Sequence, residues 1–173
     1  MPMHAKYSPS EGSLFFALLW NEKTCQINDL LDMIAKDWGA IIEKYEVEFF
    51  PMSSYYSKEM GENLKRIFVQ VRGRYKREVL ITAKTWSMEK EREYAQGENR
   101  SVNIDPGLLL LEQALLISTK PYSHRIYLSQ NLYAELLYIF ESGTYRPLPW
   151  TYPDYLDFSV ISNFNQWRKA LLA

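Results

Sequence analysis

Residues 14–20 form an uninterrupted apolar run, Leu-Phe-Phe-Ala-Leu-Leu-Trp, and this run constrains the fold more than any other segment. An apolar run of this length is typical of a strand that is buried on both faces of a sheet. Such a strand needs other elements to cover both of its faces. The sequence therefore predicts a folded domain in which residues 14–20 are a central first strand.

The segments that follow predict alternating helices and strands. Apolar residues at helical spacing from Ile27 to Trp38, ended by Gly39, predict a helix. Residues 77–94 predict a second helix, and residues 55–61 are expected to form a loop or short turn. Further strands are predicted at 41–50, 67–71 and 101–105, the last closed by a turn at Asp105-Pro106-Gly107. The resulting order, βαββαβ, is that of a ferredoxin-like core, an antiparallel sheet with two helices on one face.

The C-terminal part extends this core. Residues 108–117 are apolar enough to be buried, and periodicity alone leaves strand and helix both open. Residues 125–128 and 132–140 predict a β-hairpin, and Val160, Phe164, Trp167 and Leu171 predict a terminal helix. The expected fold class is α+β with a mostly antiparallel sheet, in a single domain spanning 1–173 whose first twelve residues are a loose leader.

Composition narrows the classes of partner. The net charge is −1 and the pI about 6.2, so nucleic acid is not the expected partner. Cys25 is the sole cysteine, which fits a reducing cytoplasm, and no segment has the roughly 18 to 20 apolar residues of a membrane span. A local exception to the charge balance is a basic run that forms either a solvated face or an RNA-binding patch: Lys65, Arg66, Arg72, Arg74, Lys76 and Arg77.

The sequence does not contain the motifs that several common kinds of catalytic and metal site require. The sequence contains none of the glycine-rich phosphate loops and no G-x-S-x-G nucleophile motif. His4, His124 and Cys25 have no clustered spacing of the kind that zinc requires. Cys25 and His124 could pair as nucleophile and base, but Cys25 falls in the first turn of an amphipathic helix, where a small packed residue is common. No reaction is assigned from the sequence.

Polar residues between Asn103 and Arg125 are the first candidates for a binding site. Asn103 and Asp105 lie two apart, on one face of a strand end, where they either hold a hard cation or stabilise the turn through their own backbone. Lys120, His124 and Arg125 lie close together in sequence and would suit a phosphate or carboxylate. The alternative for these three residues is a surface turn.

The second group of candidates lies between Glu135 and Asp154. Glu135 is an acid inside an apolar hairpin strand, so it needs a cation such as Arg125, Lys84 or Arg66, and a structural ion pair is the favoured account. The proline-rich segment 147–155 carries Trp150, Tyr152 and Asp154. Its rings either stack on a flat ligand or fix the segment to the core, and the second alternative is favoured.

Five blocks in the same order, YYSKEMG, NIDPG, HRIYL, LYAE and PLPWTYPDY, give the chain a family resemblance over almost its whole length. The chain resembles a prokaryotic family of unknown function, domain of unknown function 4416. That resemblance implies no activity, but it marks positions. Together with the reasoning above it gives the predicted ligand-binding residues: Glu59, Asn103, Asp105, Lys120, His124, Arg125, Glu135, Trp150, Tyr152 and Asp154.

A fainter resemblance concerns the cofactor. Residues 100–105, Arg-Ser-Val-Asn-Ile-Asp, are similar to the R-T-x-D-x-D strand of the pterin pyrophosphokinases, in which paired aspartates hold magnesium under ATP. The resemblance implies Asp105 as a metal ligand and magnesium as a candidate cofactor. Asn103 replaces the first acid, which removes one charge from such a site.

Three functions follow as hypotheses. The first is a binding protein or enzyme for a small anionic ligand that is phosphate- or nucleotide-like. The second is an interaction or assembly module without chemistry, including a homo-oligomer, formed through the 147–155 segment and an open sheet edge. The third is an RNA-binding accessory protein that uses residues 66–77.

Overall fold

The protein is described from a computed structural model, which covers residues 7–48 and 54–173. The end of the predicted strand at 41–50 and the first half of the leader therefore lie outside the described residues. In chain order the elements are β1 (Ser13–Asn21), α1 (Ile27–Trp38), β2 (Ile41–Val47), α2 (Ser54–Met60), β3 (Leu64–Val71), α3 (Val79–Glu93), β4 (Val102–Leu109), β5 (Gln113–Ser118), β6 (Arg125–Ser129), β7 (Leu132–Glu141), β8 (Thr144–Pro147), a short 3-10 helix (Pro153–Tyr155) and α4 (Phe158–Lys169).

The eight strands of the described residues form one antiparallel sheet. The order is β2-β3-β1-β4-β5-β7-β6, and β8 pairs with the C-terminal half of β7. β1 lies between β3 and β4 and is buried at all nine positions, as its apolar run predicts. The α+β class and the mostly antiparallel sheet are therefore confirmed.

Each face of the sheet is covered by different helices. Phe16 and Leu18 of β1 pack in one cluster with Leu30 of α1 and Leu80 of α3. The alternate residue Phe15 faces the other way, and its ring lies 4.9 Å from that of Phe164 on α4. Since burial of one such side chain contributes roughly 1.5–3 kcal/mol, the alternating pattern of β1 stabilises both layers.

The predicted turn at Asp105-Pro106-Gly107 is wrong, because β4 runs through these residues to Leu109. Pro106 pairs with Phe16, and Gly107 pairs with Phe15 on one side and with Leu116 on the other. A Cβ atom at Gly107 would overlap the ring of Phe15 and lie 2.9 Å from the Leu115 carbonyl oxygen. Gly107 is therefore needed for close packing within the sheet, and burial between two strands overrides the local turn propensity.

β4 and β5 pair along only part of their lengths. Their pairing comprises Gly107–Leu116, Leu108–Leu115 and Leu109–Ala114. Pro106, the next residue of β4, has no N–H to continue the ladder. The remaining parts, from Val102 to Pro106 and from Ile117 to Ser118, are unpaired with each other, and we call the space between them the β4–β5 gap.

The other predicted elements have mixed outcomes. α1 and the terminal helix are confirmed, and the hairpin turns through Gln130 and Asn131, whose φ angles of 52° and 59° suit a tight turn. Residues 108–117 are mainly strand and not helix: they comprise the end of β4, a short connection and most of β5. The prediction of a loop at 55–61 is wrong, because α2 covers most of it.

Candidate functional site

A cavity of about 580 Å³ opens at the β4–β5 gap. One wall is formed by residues of α2, β3, α3 and β4, and the other by β5, the loop at 119–122, β6 and β7. The segment 152–155 closes a further side. This volume lies within the range of pockets that hold small organic ligands.

The structure brings most of the predicted site residues together. Seven of the ten line the cavity, and they come from four separate parts of the chain: Asn103, Asp105, Lys120, Arg125, Glu135, Tyr152 and Asp154. The other three, Glu59, His124 and Trp150, do not line it but contact residues that do or lie behind them.

Glu59 acts on the cavity through Arg100, which sequence reasoning did not propose as a site residue. The Nε and Nη2 atoms of Arg100 donate to the two carboxylate oxygens of Glu59, each at 2.8 Å. Nη1 of Arg100 donates to Oδ1 of Asn103 at 2.8 Å, and Glu91 lies 3.6 Å away. The hydrogen bonds from Arg100 lower the pKa of Glu59. Arg100 is therefore a fixed cation on the cavity wall.

Asp105 faces the cavity as part of a bonded pair. Its Oδ2 accepts from Nδ2 of Asn103 at 2.7 Å, and its Oδ1 lies 3.2 Å from Nζ of Lys84. Burial acts to raise the pKa of Asp105, but the charges of Lys84 and Arg66 outweigh it and the net shift is downward. Asp105 is therefore ionised at neutral pH.

Asn103 and Asp105 share one face, as predicted, but they are joined by a hydrogen bond from amide to carboxylate. Across residues 7–48 and 54–173, no group of three or more His, Cys, Asp or Glu side chains is arranged to hold a metal ion. A cation at Asp105 would need further oxygen ligands besides this carboxylate.

Arg66 is the most buried cation of the cavity. Its Nη2 lies 2.6 Å from Oδ2 of Asp154, and the two side chains are 6% and 17% exposed. Its guanidinium also lies over the rings of Phe68 and Tyr155, at 5.2 and 5.7 Å from their centroids. Arg66 lies on β3, a strand whose residues are nearly all buried. A charged residue in such a strand is unusual, and this was the sequence signal for its role.

Glu135 is paired with Arg125, one of the three cations considered for it. Nε of Arg125 donates to Oε2 of Glu135 at 2.5 Å, and Nε2 of His124 lies 3.3 Å from the same oxygen. Nη2 of Arg125 donates to the Tyr152 hydroxyl at 2.6 Å. The neighbouring strands β6 and β7 place Arg125 and Glu135 opposite each other, so the pair is set by the hairpin register.

Trp150 is fixed to the sheet behind this pair. Its Nε1 donates to the Leu136 carbonyl at 2.7 Å. Its ring is stacked on His124, with centroids 4.9 Å apart and planes 11° from parallel. The segment 147–155 is therefore fixed to the core at Trp150, whereas Tyr152 and Asp154 reach the cavity.

The cavity wall carries an excess of positive charge. Five cationic side chains line it, Arg66, Lys84, Arg100, Lys120 and Arg125, against three carboxylates, Asp105, Glu135 and Asp154. This gives the lining itself an excess of two positive charges, while Glu59 and Glu91 lie behind Arg100. With these two carboxylates included the charges balance, so the excess of cations is limited to the side chains that line the cavity.

Buried polar atoms without a hydrogen-bond partner are concentrated at this cavity. In the described part of the chain four such side-chain atoms occur, and three belong to cavity-lining residues: Nε of Arg66, Oε1 of Glu135 and the hydroxyl of Tyr155. Buried polar groups are nearly always paired, because an unpaired one costs about 1–3 kcal/mol. A polar group that reached these atoms, from water or from a ligand, would remove that cost.

The lining residues that sequence reasoning missed include four that carry polar groups on the side of α2, β3 and α3: Tyr56, Arg66, Lys84 and Arg100. Tyr56 had a signal in the YYSKEMG block, and burial raises its pKa above the ordinary value. Lys84 was considered only as a partner of Glu135, and Arg100 only as the first residue of the 100–105 segment. Neither was proposed as a site residue, because a charged residue on a helix or in a loop is usually solvated.

The basic run near β3 does not form one surface. Arg66 is buried in the cavity, and Arg77 pairs with Glu112 at 2.5 Å on another part of the molecule. Arg74 donates to the carbonyl oxygens of Leu171 and Ala173 near the C-terminus. These cations therefore act in separate places.

Comparison with known proteins gives one result. Neither the search of curated proteins nor the search of solved structures found a match. In the described part of the chain no helix is long and apolar enough to cross a membrane. Residues 10–171 match the family described as Domain of unknown function (DUF4416), and the chain belongs to that family.

Proposed function

We propose that this protein binds a small anionic ligand of the phosphate or nucleotide type in the cavity at the β4–β5 gap. The observation that carries the proposal is the buried Arg66, whose Nε has no acceptor, in a lining with five cations and three carboxylates. A phosphate offers several acceptor oxygens and two negative charges to such a wall.

The arrangement of the cations supports an anion held in a fixed orientation. Arg66, Arg100 and Arg125 are each held by a carboxylate, so little side-chain entropy would be lost when they bind a ligand. Lys120 is exposed and lies at the rim, where a positive charge attracts an anion from solution. Ordered cations inside the cavity and one at its rim suit a phosphate.

Magnesium belongs to the proposal as a companion of the ligand. Asp105 is an ionised oxygen donor on the cavity wall, and phosphate oxygens would supply further ligands. We therefore expect magnesium to strengthen the binding of a polyphosphate and to have little effect alone.

The proposed fold of the first half is ferredoxin-like. The strand order β2-β3-β1-β4 with antiparallel neighbours, and α1 and α3 packed in one cluster, support this arrangement. The inserted α2 and the added strands β5–β8 then create the cavity beside this core.

Isothermal titration calorimetry tests the ligand class. Pyrophosphate and ATP, each with and without magnesium, should bind the wild type, and Lys120→Ala or Arg125→Ala should weaken binding by about tenfold. Arg146→Ala removes the same charge from an exposed position on β8, outside the cavity, and should leave the affinity unchanged. Absence of binding, or an equal loss in Arg146→Ala, would refute the proposal.

A second candidate function is an assembly module in which two copies pair through β6. This strand lies at the end of the sheet order, and Ile126, Tyr127 and Leu128 are exposed and uncharged, so a copy would meet no like charge. By contrast the other edge strand, β2, carries Glu43, Lys44 and Glu46. Light scattering should then show a dimer that Ile126→Glu converts to a monomer, and a monomeric wild type excludes it.

A further inference from the structure

The unpaired atoms of the cavity have opposite polarities. Nε of Arg66 is a hydrogen-bond donor, whereas Oε1 of Glu135 is an acceptor, and both are buried in the described structure without a partner. A bare phosphate satisfies a donor such as Arg66, but a fully ionised phosphate offers no hydrogen to Glu135. A ligand that satisfies both atoms therefore carries an anionic group and a separate hydrogen-bond donor.

Glu135 is built to receive that donor. Its side chain is 1% exposed, and its two basic neighbours in the described structure, Arg125 and His124, both contact Oε2. The register places Glu135 between Leu116 on β5 and Arg125 on β6, so its backbone is paired with a strand on both sides. Oε1 is left as a pre-oriented acceptor on a residue that lines the cavity.

The charge of the surroundings favours a hydroxyl group over an ammonium group. Arg125 already compensates the negative charge of Glu135, at 2.5 Å. The cavity lining also has two more cations than carboxylates, which opposes the entry of a further positive charge. A neutral hydroxyl supplies the missing hydrogen without that repulsion, and the Tyr155 hydroxyl is a further unpartnered group for a polyol.

We propose that the ligand is a hydroxylated phosphate monoester, such as a sugar phosphate or the ribose phosphate part of a nucleotide, and that Oε1 of Glu135 accepts a hydrogen bond from one of its hydroxyl groups. This inference rests on the proposed function, since it assumes that the cations bind the phosphate. Glu135 is then the residue that distinguishes hydroxylated ligands from aliphatic phosphates of equal length.

The test compares matched pairs of phosphate esters. Ribose 5-phosphate is compared with pentyl phosphate, glycerol 3-phosphate with propyl phosphate, and glucose 6-phosphate with hexyl phosphate, with inorganic phosphate as a reference. In calorimetry the wild type should bind at least one hydroxylated ester about tenfold or more tightly than its alkyl partner, because hydrogen bonds to a charged acceptor are strong.

Glu135→Gln is the isosteric variant. Its amide oxygen must accept from Nε of Arg125, which places the NH2 group where Oε1 was, and a donor then faces the ligand hydroxyl. The added net positive charge affects both members of a pair equally, so the ratio of their affinities is the readout. That ratio should fall to about threefold or less, whereas in Glu141→Gln, an exposed carboxylate at the end of β7, it should stay at the wild-type value.

The outcomes separate the two proposals. If the phosphates bind but the wild type shows no preference in any pair, this inference is refuted and the anion site stands. If the preference persists in a folded Glu135→Gln, hydroxyl recognition lies elsewhere and the inference is also refuted. If no phosphate binds, both proposals fail. The wild-type ratios test the ligand class even where the variant does not fold.

Discussion

Replacing Asp154 with alanine would leave the Arg66 guanidinium buried without the carboxylate that lies 2.6 Å from it. Removal of one partner from a buried ion pair typically costs about 3–5 kcal/mol, because the remaining charge is uncompensated. Two interactions stay in place: the contact of Arg66 with the rings of Phe68 and Tyr155, and the charge of Asp105. We therefore expect a loss near the lower end of the range, about 3 kcal/mol in the free energy of unfolding.

Two further variants test whether the loss of stability comes from the burial of the Arg66–Asp154 pair or from the presence of an ion pair alone. Glu112→Ala breaks the Arg77–Glu112 pair, whose side chains are 29% and 52% exposed, and should cost at most about 1 kcal/mol. The double variant Arg66→Met with Asp154→Ala removes both charges from the buried site. It should be more stable than Asp154→Ala alone, since no unpaired charge is left.

Urea denaturation at pH 7, followed by tryptophan fluorescence, measures these free energies. For a domain of this size a loss of about 3 kcal/mol also corresponds to a fall in Tm of roughly 6–12 °C. A loss below about 1 kcal/mol for Asp154→Ala, equal to that of Glu112→Ala, would show that water reaches Arg66 freely. The buried pair would then not hold the segment 152–155 against β3.

Two other substitutions test the sheet and the wall of the cavity. Gly107→Ala should lower the free energy of unfolding by about 1–3 kcal/mol in calorimetric melts, because the added Cβ meets the ring of Phe15. Phe15→Leu in that background should recover part of the loss. A Gly107→Ala variant as stable as the wild type would contradict the close packing. Glu59→Gln should change the pH dependence of stability. The hydrogen bonds from Arg100 hold the pKa of Glu59 below its ordinary 4.5. The carboxylate therefore stabilises the fold above pH 4.5, and this contribution disappears as the pH falls through the lowered pKa of the folded state. Denaturant melts from about pH 6 to pH 3 should therefore show the wild type and Glu59→Gln converging in acid, and a difference that stays constant with pH would contradict the assignment.

The elements with strong periodicity were predictable from the sequence. α1 has a clear apolar face and ends at Gly39, whose φ of 115° is a conformation that favours glycine. β1 and the β6–β7 hairpin likewise follow from a continuous apolar run and a short polar turn. In these segments local preference and tertiary burial agree, so the local pattern suffices.

Asp105-Pro106-Gly107 was not predictable, because its turn chemistry conflicts with its place in the sheet. The position of Gly107 beside Phe15 depends on residues that are far away in the sequence. The prediction of a loop at 55–61 also failed, because α2 is a seven-residue helix, too short for a helical period to be recognised. Contacts distant in the sequence decide both segments.

The candidate site was partly predictable for the same reason. Polar residues next to predicted turns, such as Asn103, Asp105 and Arg125, stand out in the sequence, and they do line one cavity. The partners that fix their charges, Lys84 for Asp105 and Arg66 for Asp154, lie on other elements. Pairing across α3, β3 and the 3-10 helix is a property of the packed structure, so sequence spacing does not show it.

The segment misread as a turn explains why the cavity exists. Asp105 supplies a charge to its wall, Pro106 has no N–H with which to extend the ladder toward β5, and Gly107 lets Phe15 pack where pairing begins. If β4 and β5 paired along their whole length, Asp105 would stand beside β5 with no space for a ligand. The three residues thus act together at the point where the sheet divides. The division allows buried polar side chains to face an opening within a sheet whose central strand β1 is covered on both faces.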